Sequence, residues 1–187
     1  MDIRPLALDG VYEICPPRFG DARGYFCETF KRDALTAHGI EFEPVQDNES
    51  LSTRVGTLRG LHFQAPPQAQ SKLVRSVVGR IYDVVVDIRA QSPTYGDWLG
   101  LELSAEQGNQ LFVPAGFAHG FMTLEQRCLI AYKVDAGYAP DTEGALRWDD
   151  PDLAIAWPDV GTPPQLSDKD RRAGSFADFR TPFDRGR

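Results

Sequence analysis

Gly108-Asn109-Gln110-Leu111-Phe112-Val113-Pro114-Ala115-Gly116-Phe117-Ala118-His119 decides the fold. Gln110–Val113 has the length and apolar content of a short strand, and Pro114-Ala115-Gly116 supplies turn chemistry. Phe117–Thr123 then resumes as a second strand carrying His119 toward the interior that such strands enclose. Outward from this stretch the same punctuation repeats. Residues 73–78 and 81–89 read as two strands joined by a tight turn at Gly79-Arg80. In the second of them Val84, Val86 and Ile88 share one face, while Asp83, Val85 and Asp87 share the other. Residues 99–103 and Cys128–Val134 add further runs. Many short strands separated by Gly and Pro call for an all-β sandwich or barrel.

Two helices interrupt the pattern. One covers residues 31–38 and stops at Gly39, a natural C′ residue. The other starts at Ser167-Asp168-Lys169-Asp170, where Ser167 can cap and Asp170 can return the bond. The tail from Gly174 has no clear period and reads as a loosely packed extension. No repeat or linker divides the chain, so a single domain over 1–187 is expected. Its N-terminal strands and arm fall in 1–50, the barrel core in 51–140, and a C-terminal segment with the short helix in 141–187.

Composition narrows the function. With 42% apolar and 25% charged residues over 187 positions, the chain can bury a real core. A net charge of −7 argues against a nonspecific nucleic-acid surface. A few local arginines can still hold a small anionic ligand. No run approaches the roughly 18 apolar residues of a membrane-spanning helix. Met1-Asp2-Ile3-Arg4-Pro5 lacks a basic-then-apolar leader, so a cytoplasmic location is expected, with no membrane partner. Cys15, Cys27 and Cys128 are odd in number and form no C-x-x-C, which leaves them as small hydrophobes rather than a disulfide or zinc framework.

A second stretch, Gly56-Thr57-Leu58-Arg59-Gly60-Leu61-His62-Phe63-Gln64, joins the first. The pair resembles the two motifs of cupin barrels, which implies a jelly-roll barrel with a few short peripheral helices. The departure from that pattern is informative. A metal-binding cupin places a second histidine where Gln64 stands and a glutamate near Pro67, Gln68 and Ala69. Of the three histidines, His38 lies in the expected helix. His62 and His119 alone are too few for the usual metal site. No metal and no cofactor are expected.

The motifs Phe19-Gly20-Asp21-Ala22-Arg23-Gly24-Tyr25-Phe26-Cys27-Glu28, Gln46-Asp47-Asn48-Glu49-Ser50, Arg59–Gln64, Lys72-Leu73-Val74-Arg75, residues 83–89, residues 116–121, Tyr132-Lys133 and residues 166–170 occur in order. Together they resemble the dTDP-4-dehydrorhamnose 3,5-epimerase family from about Arg18 to about Asp170. The resemblance implies inversion at C3 and C5 of dTDP-4-dehydro-6-deoxy-D-glucose, next to the C4 ketone. His62 would remove the proton, Asp170 would hold and polarise its ring, Tyr132 would reprotonate the opposite face, and Lys72 would stabilise the enolate. Arg23, Arg59 and Lys169 would meet phosphate or sugar oxygens. Gln46, Asn48, Glu28, His119 and Glu143 would hydrogen-bond sugar and base, and Phe19, Phe26 and Tyr138 would pack around thymine. The resemblance also implies a homodimer in which the Arg23–Phe26–Glu28 segment reaches the neighbouring subunit's site.

These residue types suit the task. A proton alpha to a ketone is too weakly acidic for imidazole unless the developing oxyanion meets positive charge in a dry site. An ordinary imidazole, with pKa about 6.5, is a usable base at neutral pH, and a phenol with pKa about 10 stays protonated as a donor. Three alternatives stay open: a 3-only or 5-only epimerase of the same fold, a metal-dependent cupin oxygenase or isomerase, and a silent sugar-binding barrel.

Overall fold

The computed structural model describes residues 1–183, and these are dominated by antiparallel strands. In chain order the strands are β1 (Asp2–Pro5), β2 (Tyr12–Cys15), β3 (Arg18–Asp21), β4 (Gly24–Cys27), β5 (Gln46–Ser52), β6 (Leu58–Gln64), β7 (Lys72–Val78), β8 (Arg80–Asp87), β9 (Trp98–Ser104), β10 (Gln110–Val113), β11 (Phe117–Thr123), β12 (Cys128–Val134) and β13 (Glu143–Ala145). Two short helices accompany them, α1 (Arg32–Thr36) and α2 (Asp168–Arg171). One sheet runs β1-β2-β10-β7-β12-β5, the second runs β13-β6-β11-β8-β9, and β3 with β4 forms a separate hairpin. From β5 to β12 the chain passes back and forth between the two large sheets, except that β8 and β9 are neighbours in the second, the topology of a jelly roll. The all-β jelly-roll architecture with short peripheral helices agrees with the sequence reading.

The core follows from alternation along the strands. Val74 on β7, Val85 on β8, Leu111 on β10, Phe121 on β11 and Ile130 on β12 point inward and pack together between the sheets. The outer face of the first sheet, with Ile14, Leu73 and Phe112, is covered by Leu35 of α1 and by Ile40 and Phe42. The outer face of the second sheet, with Leu61, Phe63, Val84 and Val86, is covered by the C-terminal segment. Over its described residues, 174–183, the tail is therefore not loose: Phe176, Phe179 and Phe183 pack on this layer, with Phe63 edge-on to both Phe179 and Phe183, while residues 184–187 of that expectation lie outside the described residues. Aromatics spaced for no single helix or strand face leave no period in the sequence, although they bury well.

The tight turn at Gly79-Arg80 joins β7 to β8 as the sequence reading expects, but it does not pair them. β7 pairs with β10 and β12, whereas β8 pairs with β11 and β9. Gly79, at φ 78°, sends the chain across the core into the other sheet. Turn chemistry reports that the chain reverses; it does not report which strands it then bonds.

Candidate active site

The cleft lies between the two sheets, with a volume of about 460 Å³. Its first wall is β6 beside β11, where His62 pairs in register with His119. Arg59 and His62 are three residues apart, so a regular strand would point them to opposite faces. The register slips between His119 and Phe121, and both Arg59 and His62 line the cleft. Gly60 makes this possible. Its φ is 128°, and a Cβ there would lie 2.5 Å from the Cα of Gly120. Only glycine tolerates both that backbone angle and that approach.

His62 is completed by α2. Its Nε2 lies 2.6 Å from Oδ1 of Asp170, and the hydroxyl of Ser167 donates to the other carboxylate oxygen at 2.7 Å. Ser167 is the N-cap of α2 and accepts the Asp170 backbone N–H at 3.1 Å. The capping position thus holds, but the Asp170 carboxylate turns to the imidazole as well as to the cap. Burial pushes the Asp170 carboxyl upward, and the His62 hydrogen bond, the Ser167 hydroxyl and the Gly60 N–H more than offset it, leaving its pKa below the ordinary value. Asp170 stays ionised, so the neutral ring donates Nε2–H to it and leaves Nδ1 as the free basic nitrogen.

The opposite wall belongs to the other sheet. Lys72 and Val74 of β7, Ile130 and Tyr132 of β12, and Ser50 and Ser52 of β5 face the cleft. β7 lies between β10 and β12, so Lys72 is not an edge-strand lysine. Burial lowers the Lys72 ammonium to about 8, against the raising influence of Asp83 and Glu143. Burial raises the Tyr132 phenol, with Arg59 opposing and Glu143 reinforcing the shift, which keeps the proton on oxygen. His119, nearly buried, places Nε2 2.8 Å from Oδ1 of Asp83. Arg59 donates to the Ser52 hydroxyl and to the Leu51 carbonyl at 3.2 and 3.3 Å.

Of the residues singled out in the sequence, His62, Asp170, Tyr132, Lys72, Arg59 and His119 therefore meet in one cleft. Tyr138, Glu143 and Lys169 form a cluster beside it. Glu143 accepts from the Tyr138 hydroxyl at 2.9 Å and pairs with the Lys169 ammonium. Burial raises the Glu143 carboxyl, but these two partners hold it below its usual range. Gln46 donates to Asn48 at 2.8 Å and accepts the Tyr138 backbone N–H at 3.1 Å. Phe19, Arg23 and Phe26 do not line this chain's own cleft; they sit on the exposed β3–β4 hairpin, where Arg23 pairs with Asp21 at 2.5 Å. Glu28 follows the hairpin and lies 3.8 Å from Lys31.

Several cleft residues went unnoticed in the sequence. Ser50 and Ser52 share the β5 face of Asn48, so period-two alternation could have found them. Gln165 reaches the site through a bridge to Thr57, more than a hundred positions away, and carries no local signal. At the position of the missing histidine, buried Gln64 donates to the carbonyls of Gln68 and Gly137 and accepts the Ala139 N–H at 2.9 Å. Among the described residues, no three His, Cys, Asp or Glu side chains converge as metal ligands do.

The chain has relatives among known proteins. A protein of Sinorhizobium fredii named dTDP-4-dehydrorhamnose 3,5-epimerase is 49% identical over 98% of this chain and 93% of its own length. The crystal structure of the Bacillus anthracis enzyme of that name, with TDP and PPi bound, superposes with a TM-score of 0.90 at 44% identity, covering 94% of this chain and 99% of that one. A Legionella pneumophila dTDP-6-deoxy-D-glucose-3,5-epimerase in complex with dTDP-4-keto-L-rhamnose gives a TM-score of 0.91 at 42% identity, covering 96% and 94%. The family model described as dTDP-4-dehydrorhamnose 3,5-epimerase matches residues 5–178, a span that takes in both sheets and the helix carrying Asp170. The chain belongs to the dTDP-4-dehydrorhamnose 3,5-epimerase family.

Proposed function

We propose that this chain inverts C3 and C5 of dTDP-4-dehydro-6-deoxy-D-glucose, giving dTDP-4-dehydro-L-rhamnose, by proton removal and return alpha to the C4 ketone. One observation carries the reading: the base and the acid stand on opposite sheets. His62 projects from β6 in one sheet and Tyr132 from β12 in the other, and both line the same cleft. A hexose ring between them presents one face to the imidazole and the other to the phenol, as inversion requires.

Each step has an assigned group. Nδ1 of His62 takes the proton while Asp170 stabilises the imidazolium that forms. Negative charge gathers on the ketone oxygen, where the Lys72 ammonium meets it against the apolar wall of Val74, Phe121 and Ile130. Tyr132 delivers a proton to the opposite face, and the phenolate recovers one from solvent. Arg59 holds the diphosphate, with His119 on the sugar. Lys169, Glu143, Gln46, Asn48 and Tyr138 serve the nucleotide end, after Lys169 and Tyr138 exchange their present partner for substrate. Two copies complete each other: Phe19, Arg23, Phe26 and Glu28 of one protomer close over the thymidine diphosphate in the other.

The deciding experiment is NMR of dTDP-4-keto-6-deoxyglucose incubated with the protein in D2O. Deuterium at both C3 and C5, with the L-rhamno configuration in the product, is expected. Exchange at one carbon alone replaces the double inversion with a single-centre epimerase, and no exchange at either refutes the reading.

A further inference from the structure

The mechanism above leaves a buried carboxylate behind the cleft unused. Asp83 on β8 is fully buried, on the inward face of its strand beside the barrel core. One carboxylate oxygen is bonded to His119, and the other, Oδ2, is the only buried side-chain polar atom without a partner among the described residues. A carboxylate taken out of water with half its acceptor capacity unmatched is costly, so a compensating charge is required. Lys72 supplies it. The ammonium lines the cleft and, among the described residues, makes no hydrogen bond or ion pair of its own, yet it lies within electrostatic reach of Asp83.

We infer that Asp83 is a positioning residue of this site, fixing the His119 ring with one carboxylate oxygen and using the other to keep the Lys72 ammonium charged inside the cleft. The inference rests on the reading of Lys72 as the cation that meets the enolate. Other groups around Lys72 do not replace Asp83. Glu143 on β13 is already committed to Lys169 and Tyr138, and Asp170 on α2 to His62 and Ser167. His62 and Arg59 on β6 bring no further anion, and Tyr132 on β12 stays neutral. The bond to Asp83 also uses Nε2 of His119, so Nδ1 is the nitrogen left for a ligand.

Asp83→Asn separates the two roles. The amide oxygen can still accept the imidazole N–H, which preserves His119, while the charge beside Lys72 disappears. Removing an anion near an amine favours its neutral form, so the ammonium is lost at lower pH. Trace acetylation of Lys72 with acetic anhydride, followed across pH by mass spectrometry without substrate, reads this directly. A midpoint near 8 is expected in the wild type, falling by about one pH unit in Asp83→Asn, a tenfold weaker hold on the proton. The alkaline limb of kcat should fall in parallel. An unmoved Lys72 midpoint overturns the inference. Because the labelling needs no turnover, a chain with some other activity would still give the Lys72 result. Should Asp83→Asn fail to fold, Lys72→Met gives the reciprocal test. The infrared band of a buried protonated carboxyl should then appear at higher pH than in the wild type, and an unchanged band overturns the inference equally.

Discussion

A proton taken from one face of a ring and returned to the other needs two groups that cannot substitute for each other, and His62 and Tyr132 are expected to fail differently. His62→Ala should abolish solvent exchange and epimerisation together, by about 10²–10⁴-fold, since no enolate forms without the base. Tyr132→Phe keeps the ring that packs in β12 but deletes the phenolic proton. His62 can still make the enolate and return a deuteron to the face it came from. This variant should exchange deuterium at the reacting carbons while inverting them poorly, as NMR in D2O would register; equal loss of both signals removes the donor role. His62 was picked out by the barrel motif around it and Tyr132 through the family resemblance alone, and the fold sets both on one cleft. Asp83 was given no role. In the sequence it shares its face with Val85 and Asp87, and nothing separates the two aspartates. In the fold Asp87 accepts from Arg89, Ser92 and Thr94 and anchors a loop, whereas Asp83 turns to His119.

Elements set the angles at which these groups meet. β10, β11 and β12 follow the sequence reading residue for residue, because apolar runs bounded by Pro, Gly and charged residues leave little choice of end point. Sheet membership was not legible, as β7 and β8 demonstrate, since pairing is a long-range property. The same limit applies at Gln64, whose three backbone partners in residues 68, 137 and 139 tie the end of β6 to the loop before β13. The sequence marked Gln64 as a lost metal ligand; the structure gives it work of its own. Gln64→His restores the cupin ligand type without the carboxylate that would complete a site. It is expected to bind no stoichiometric zinc by elemental analysis. It should also lose about 2 kcal/mol of stability in urea titrations, as the buried Ala139 N–H and its neighbours lose their partner. One zinc per chain, or unchanged stability, contradicts this account.

At the scale of the whole molecule, the cleft takes its lining from both sheets, yet the β3–β4 hairpin stands apart from it. Phe19, Tyr25 and Phe26 are 59%, 61% and 67% exposed. A two-stranded hairpin is marginal alone, and three neighbouring exposed aromatics are a costly surface for a lone protomer. Both facts fit the proposed dimer, in which a second copy would be the hairpin's resting place and Arg23 would meet the neighbour's diphosphate. That arrangement makes the two sites of a dimer interdependent, and complementation tests it. Arg23→Ala alone should bind substrate weakly, and His62→Ala alone should be inactive. Co-expressed with different tags and purified through both, the mixed dimer contains one site that joins an intact His62 to the intact arm of its partner. The other site lacks both. The mixed dimer should therefore recover about half the wild-type kcat per dimer, with a wild-type KM, although neither parent shows that behaviour. If each protomer used its own arm, every His62-containing site would also carry Arg23→Ala. The mixed dimer would then keep the high KM of the Arg23→Ala parent, and the shared site would be ruled out.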